Sequence, residues 1–244
     1  MGGVEFHSLA LTDLDMRPHS ACPACEGEKA RPYSRSEYDG RSLVHHLCPD
    51  CGLVYMNPYP AQDWYDRLYG GEFWEVKARH KRRALTDNVP YWTKAFKRAD
   101  KYTEFLTRHS NGARIGRLLE IGAAYGIVGR SVGDRLGAEV FAIEPNDAAR
   151  DFAAQHMGVS IAGKTVRDVA VWAPDKPVDM IVFSHVLENI VDLDGTLADV
   201  SRVLRPGGMI LIETPNVRSA RSMSWCGRQR PLWARRRRRW REAS

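Results

Sequence analysis

Four of the chain's five cysteines form two pairs, Cys22-Pro23-Ala24-Cys25 and Cys48-Pro49-Asp50-Cys51, with 22 residues between them. Each pair can place two thiolates on one turn. Two such turns close a tetrahedral Zn²⁺ site with no coordination position left open. A closed site of this kind is structural, and metal binding supplies folding free energy to a segment too small for a core of its own. The prolines stiffen both turns and Gly52 permits a tight backbone after the second. The competing readings are chance pairs or disulfides. Met1 to Ala10 carries Glu5 and no leading basic cluster with a long apolar core, so a secretory signal is not expected. The location read from this is cytoplasmic, where thiols stay reduced and favour metal over disulfide. His45 and His46 read as strand residues.

A second constellation is Glu120-Ile121-Gly122-Ala123-Ala124-Tyr125-Gly126. Glycine lets backbone approach a ligand closely, and a helix opening after such a loop presents free N–H groups. A dinucleotide fingerprint, G-x-G-x-x-G, would put its second and third glycines at Ala124 and Ile127, so the fit is poor. The phosphate-loop pattern G-x-x-x-x-G-K-[ST] is missing. Glu144 lies 22 residues past Gly122, at the end of the apolar run Val140–Ile143. An acid there can accept both hydroxyls of a ribose, as in nucleotide-binding folds. The plainer reading is a solvated glutamate at a strand end.

The elements that must position these groups emerge from periodicity. Leu118–Ile121, Val140–Ile143, Val159–Ile161, Val178–Phe183 and Met209–Ile212 read as short buried strands. Helices are predicted over Ile127–Leu136, ended by Gly137; from the cap Asn146 to about His156, ended by Gly158; and over Leu193–Leu204, broken by Pro206-Gly207-Gly208. Strand and helix alternating at this pace give βαβ units, a parallel sheet and right-handed crossovers. Upstream, Trp92, Phe96, Ala99, Tyr102 or Thr103, and Leu106 recur as one apolar helix face, opposite Lys94, Lys97, Arg98 and Lys101. That helix reads as a packing element.

The loop resembles the first motif of class I S-adenosylmethionine-dependent methyltransferases, acid-x-Gly-x-x-x-Gly. Val178-Asp179-Met180-Ile181-Val182-Phe183-Ser184-His185-Val186-Leu187-Glu188 resembles that family's fourth strand, with Asn189 where many relatives have histidine. Leu204-Arg205-Pro206-Gly207-Gly208 resembles its turn before the fifth strand, and Glu213-Thr214-Pro215-Asn216 the segment after it. Leu53-Val54-Tyr55-Met56-Asn57-Pro58 resembles the segment next to the zinc knuckles in a branch that includes sugar C-methyltransferases. The resemblance implies an α/β, Rossmann-like class I methyltransferase sheet preceded by a small zinc ribbon. It implies S-adenosyl-L-methionine as cofactor, held by Glu120, Gly122, Ala123, Gly126, Glu144, Pro145, Ser184 and His185, with Zn²⁺ on Cys22, Cys25, Cys48 and Cys51. The acceptor would be a small molecule methylated at O or C. His185 and Glu188 would lie at the carboxyl edge of the sheet, where His185 could act as general base or merely line the pocket. The adenine contact is left open, with Gly163-Lys164-Thr165 and Asp168 nearby. Tyr65, Tyr69 and Trp74 lie in a stretch that relatives use near the cofactor and that core packing explains equally well.

The organisation read from the sequence is a zinc ribbon over 18–58, a helical connecting segment over 60–112, the cofactor-binding domain over 113–216 and an arginine-rich tail over 217–244. The net charge of +6 resides in that tail, where ten arginines against one glutamate give +9 and leave −3 for the other 216 residues. Nothing in the body marks a nucleic-acid footprint. Five consecutive arginines should be solvated. They read either as a basic arm for nucleic acid or anionic surfaces, or as a departure from the ancestral frame near Asn216. The second reading leaves the sheet incomplete and the enzyme impaired, with an uncovered strand edge. No apolar run approaches the ~18 residues of a membrane helix.

Overall fold

The computed structural model describes residues 10–38, 40–71, 89–110, 112–172 and 177–215. The chain forms two compact units, one holding residues up to Trp64 and one running Tyr65–Thr214.

In the first unit, β1 (Met16–Arg17) pairs antiparallel with β5 (Tyr59–Pro60). A three-stranded antiparallel sheet has the order β2 (Arg31–Tyr38), β3 (Arg41–Leu47), β4 (Val54–Met56). The β2–β3 hairpin spans the interval between the two cysteine turns, and His45 and His46 lie on β3. The peptide bond Asn57–Pro58 is cis. A helix, α1 (Gln62–Gly70), comes next in the chain.

The second unit contains α2 (Val89–His109), β6 (Arg117–Ile121), α3 (Ile127–Leu136), β7 (Glu139–Ile143), α4 (Asp147–Met157), β8 (Ser160–Gly163), β9 (Val178–Ser184), α5 (Leu193–Val203) and β10 (Leu204–Glu213). The sheet order is β10-β9-β6-β7-β8, and every neighbouring pair is parallel. The chain runs β6-β7-β8 to one side and then crosses to β9-β10 on the other, so the order reverses between β6 and β9. In open α/β sheets the ligand crevice forms outside the carboxyl ends of the strands at that reversal. The loops after β6, β7 and β9 all end there.

The predicted helix ends are present with their chemistry. Asn146 caps α4 by accepting the Ala149 N–H at 2.9 Å. Gly137 and Gly158 close α3 and α4 in the left-handed region. Two differences stand out. β8 begins one residue later than predicted, at Ser160, and the Val159 N–H instead donates to the Ala153 carbonyl near the end of α4. The Pro206-Gly207-Gly208 turn does not separate helix from strand: β10 already pairs at Leu204 with Val178 and resumes at Met209 with Met180, absorbing the turn as a bulge.

The sheet is covered on both faces. α2, α3 and α4 pack on one, through Ala95, Ala99, Tyr102, Leu106, Val132 and Ala153. α5 packs on the other, through Val200 and Val203 against Leu119, Ile181 and Phe183. Each buried Val, Leu, Ile or Phe among them contributes about 2 kcal/mol, and the alanines less. Within the 60–112 segment, α2 thus shares the sheet's own core. Its buried stripe runs through Ala95, while Phe96, placed on that face by the sequence pattern, is 43% exposed. At the amino ends of the strands Asp179 gathers the Gly116 and Arg117 N–H groups and Arg205 Nε. Burial works against its charge, but the Gly116, Arg205 and Arg117 bonds outweigh it and hold the carboxyl below its ordinary range. Among the described residues β10 pairs only with β9, and Ile210 and Ile212 on it are 39% and 47% exposed. No described helix is long and apolar enough to cross a membrane.

Candidate active site and metal centre

The loop between β6 and α3 is shaped by backbone that only glycine adopts easily. Gly122 and Gly126 both have φ of +70° and Ala124 has +50°. A Cβ on Gly122 would lie 2.3 Å from Val186 Cγ2, so the loop after β9 sits directly on this glycine. The Gly122 and Ala123 N–H groups donate to the Ile143 carbonyl at 2.7 and 3.1 Å, tying the loop to the end of β7.

Two buried carboxylates brace that loop. Glu144 is 4% exposed; Oε2 accepts from the Ala124 N–H at 2.7 Å and Oε1 from the Asn146 N–H at 3.0 Å. Glu120 is 2% exposed and accepts the Gly129 N–H at 2.8 Å, which puts its carboxylate beneath the first turn of α3. Burial pushes the Glu120 carboxyl up to about 8, against the pull of the Gly129 bond and with a further push from Glu144. Arg150 Nη1 donates to the carbonyls of Glu144 and Pro145 at 2.7 and 2.8 Å, and its other arm pairs with Asp147, fixing the turn after β7.

Ser184 ends β9 and His185 follows it. The Ser184 Oγ is 2.8 Å from the Tyr102 hydroxyl, and the His185 N–H donates to the Glu213 carbonyl at 2.8 Å. His185 is in the left-handed region, φ +58°, a conformation that marks functional or strained positions in a side chain of this kind. Its ring is partly exposed and lies between the carboxylates of Glu188 and Glu213. Thus Gly122, Ala123, Gly126, Glu144 and Pro145 gather at one end of β6 and β7, and Ser184 and His185 at the same end of β9. Sequence reading did not single out Tyr102 or Glu213 as site residues, and placed Arg98 on a solvated face. The signal available was the glutamate that closes the last strand, opposite a tyrosine on the predicted helix. Tyr65 and Tyr69 stack at 6.3 Å on α1, whereas Trp74 and the 217–244 segment lie outside the described residues.

In the first unit the four sulfurs of Cys22, Cys25, Cys48 and Cys51 lie within 4.8 Å of one another. Cys22–Cys51 and Cys25–Cys48 are each 3.6 Å apart. Zn–S bonds of about 2.3 Å in a tetrahedron require edges of about 3.8 Å, so the donor set fits. Both turns close by backbone bonds of one pattern. Cys22 N–H donates to the Gly27 carbonyl and Cys48 N–H to Leu53, while Glu26 and Gly52 donate back to Cys22 and Cys48.

A family model described as "Methyltransferase domain" matches residues 79–243, a span that includes the arginine-rich segment set apart in the sequence reading. Among curated proteins, ubiquinone biosynthesis O-methyltransferase of Rhizobium johnstonii is 28% identical over 123 residues, 48% of this chain and 49% of that protein. Its counterpart from Bradyrhizobium sp. (strain ORS 278) is 30% identical over 105 residues, 41% and 40% of the two chains. The matches span about half the length of these curated relatives. Among solved structures, the glycopeptide N-methyltransferase MtfA with S-adenosyl-L-homocysteine is 25% identical, with 47% of each chain covered and a TM-score of 0.38. The aminopentose methyltransferase CalS10 of Micromonospora echinaspora, solved with S-adenosylmethionine, is 18% identical over 58% and 56% of the chains, TM-score 0.41. The family model covers more than half of the chain, and the chain belongs to the methyltransferase domain family.

Proposed function

We propose that the chain is an S-adenosylmethionine-dependent methyltransferase acting on a small molecule, with a structural zinc ribbon in its first unit. The observation that carries this is Glu144, buried at the carboxyl end of β7 and bonded to the glycine loop. A carboxylate offers about four acceptor positions. An acid at the end of the second strand of such a sheet, about 20 residues past the glycine loop, is placed to accept the hydroxyls of a ribose. Gly122, Ala123 and Gly126 would let the adenosyl and methionyl parts approach the backbone, Pro145 would border the ribose, and Ser184 and His185 would border the methionyl end. Glu120 acts from inside, bracing the turn. When bound, the cofactor supplies an electrophilic methyl group on a sulfonium. The chain's part is then alignment, exclusion of water and removal of the acceptor's proton. His185, at the carboxyl end of β9, is the group we assign as proton acceptor. The acceptor's class, sugar, glycan precursor or secondary metabolite, and the atom methylated, O or C, rest only on the sequence resemblance. The four cysteines would hold Zn²⁺ without an open position, so the metal would stabilise its unit and take no part in the reaction.

Isothermal titration of the full chain tests the reading. S-adenosylhomocysteine should bind with a Kd in the micromolar range and NAD should give no heat. Saturation by NAD, or silence with both, would overturn it.

A further inference from the structure

The carboxyl ends of β9 and β10 hold a polar cluster to which α2 contributes two side chains. Glu213 Oε2 accepts from the Tyr102 hydroxyl at 2.5 Å and pairs with Arg98 Nε at 2.9 Å. A phenol carries one proton. With that proton given to Glu213, the Ser184 hydroxyl is the donor across the 2.8 Å contact to the Tyr102 oxygen. The backbone of Glu213 is equally fixed: it pairs in register with Ser184 and accepts the His185 N–H. The imidazole of His185 then stands between two carboxylates, Nε2 at 3.4 Å from Glu213 Oε2 and Nδ1 at 3.6 Å from Glu188 Oε1.

A neutral imidazole has one N–H, so one carboxylate takes it and the opposite nitrogen keeps the lone pair. The two carboxylates are not equivalent. Glu213 is immobilised by Arg98, Tyr102 and the strand. Glu188 sits on the short turn Leu187–Asn189, where among the described residues its carboxylate meets only His185. A preorganised acceptor orients a ring better than a mobile one. We propose that Glu213, locked by Arg98 and Tyr102, is the positioning residue that takes the Nε2–H of His185 and leaves the lone pair on Nδ1 to receive the proton of the methyl acceptor. The acceptor's X–H bond breaks and an Nδ1–H bond forms. The electron pair left on X forms the bond to methyl, and the S–CH₃ pair stays on sulfur. Glu188 faces the new Nδ1–H, and the proton leaves to water after turnover.

This assignment rests on His185 being the proton acceptor, yet its test needs no methyl transfer, so it fails separately from cofactor binding. Full-length ¹⁵N-histidine protein is recorded by two-bond ¹⁵N–¹H correlation with the rings neutral. The His185 signals are identified by their loss in His185→Asn. The Nε2–H tautomer should exceed Nδ1–H by about tenfold, the order expected when one nitrogen alone has a fixed charged acceptor. Glu213→Ala should bring the ratio to about one or reverse it toward Glu188. Tyr102→Phe, which keeps the ring and removes only the hydroxyl, should shift it in the same direction by a smaller factor. Circular dichroism reports the fold of each variant. If Glu213→Ala does not fold, Tyr102→Phe decides alone. An Nδ1–H ring in the wild type, or a ratio that neither variant moves, would overturn the proposal.

Discussion

At the residue scale the glycine loop is held by charges and contacts that a sequence pattern only hints at. The acid-x-Gly motif marked Glu120 and the strand-end spacing marked Glu144, but neither showed that Glu120 turns inward under α3 while Glu144 bonds Ala124. Spacing gives the position of a carboxylate along a strand; its direction depends on which neighbouring N–H groups the fold leaves without a partner. The same burial gives Glu120 a pH signature. Its proton is held up to about 8 in the folded chain, against an ordinary value near 4.5 when unfolded. Between those two values the folded state binds the extra proton, so stability is full below about 4.5 and falls as pH rises toward about 8. Urea unfolding across this range should show that decline for the wild type. Glu120→Gln, with no proton to lose, should flatten it. Gly122→Ala combines a left-handed backbone with a Cβ 2.3 Å from Val186. It should cost about 2–3 kcal/mol in the same assay. A variant as stable as the wild type would mean the two loops are not in contact.

At the element scale the alternating strands and helices of the second unit were legible almost throughout. Their apolar runs, the Asn146 cap and the terminal glycines are local signals that packing does not override. The role of α2 was less legible. Its period was plain, but a pattern that weights large side chains chose Phe96, whereas the residue buried at that turn is Ala95. Tyr102, on the buried stripe, and Arg98 both reach Glu213 at the strand ends, so a packing helix also carries site residues. The cysteine turns were legible because ligand spacing is itself geometric. If they hold Zn²⁺, a high-affinity chelator should melt the β2–β3–β4 sheet while the parallel sheet persists, read as loss of hydrogen-exchange protection confined to residues 16–60. X-ray absorption of the purified protein should give four sulfur neighbours at about 2.3 Å. Protection unchanged by the chelator would show that the cysteines carry no structural metal.

At the scale of the whole molecule, the chain belongs to the methyltransferase domain family and its parallel sheet reverses order between β6 and β9. The strand order β10-β9-β6-β7-β8 brings the carboxyl ends of β6, β7 and β9 side by side, and the residues singled out by motif lie at those ends. The charge is uneven, +9 in the last 28 residues against −3 elsewhere, so the residues that build the crevice belong to the acidic part of the chain. The most direct measurement is a crystal structure of the chain with S-adenosylhomocysteine. The account predicts the ribose hydroxyls on the Glu144 carboxylate, with the thioether end near Ser184 and His185. A clear map with the ligand bound elsewhere, or a loop that admits no ligand at saturating concentration, would contradict it.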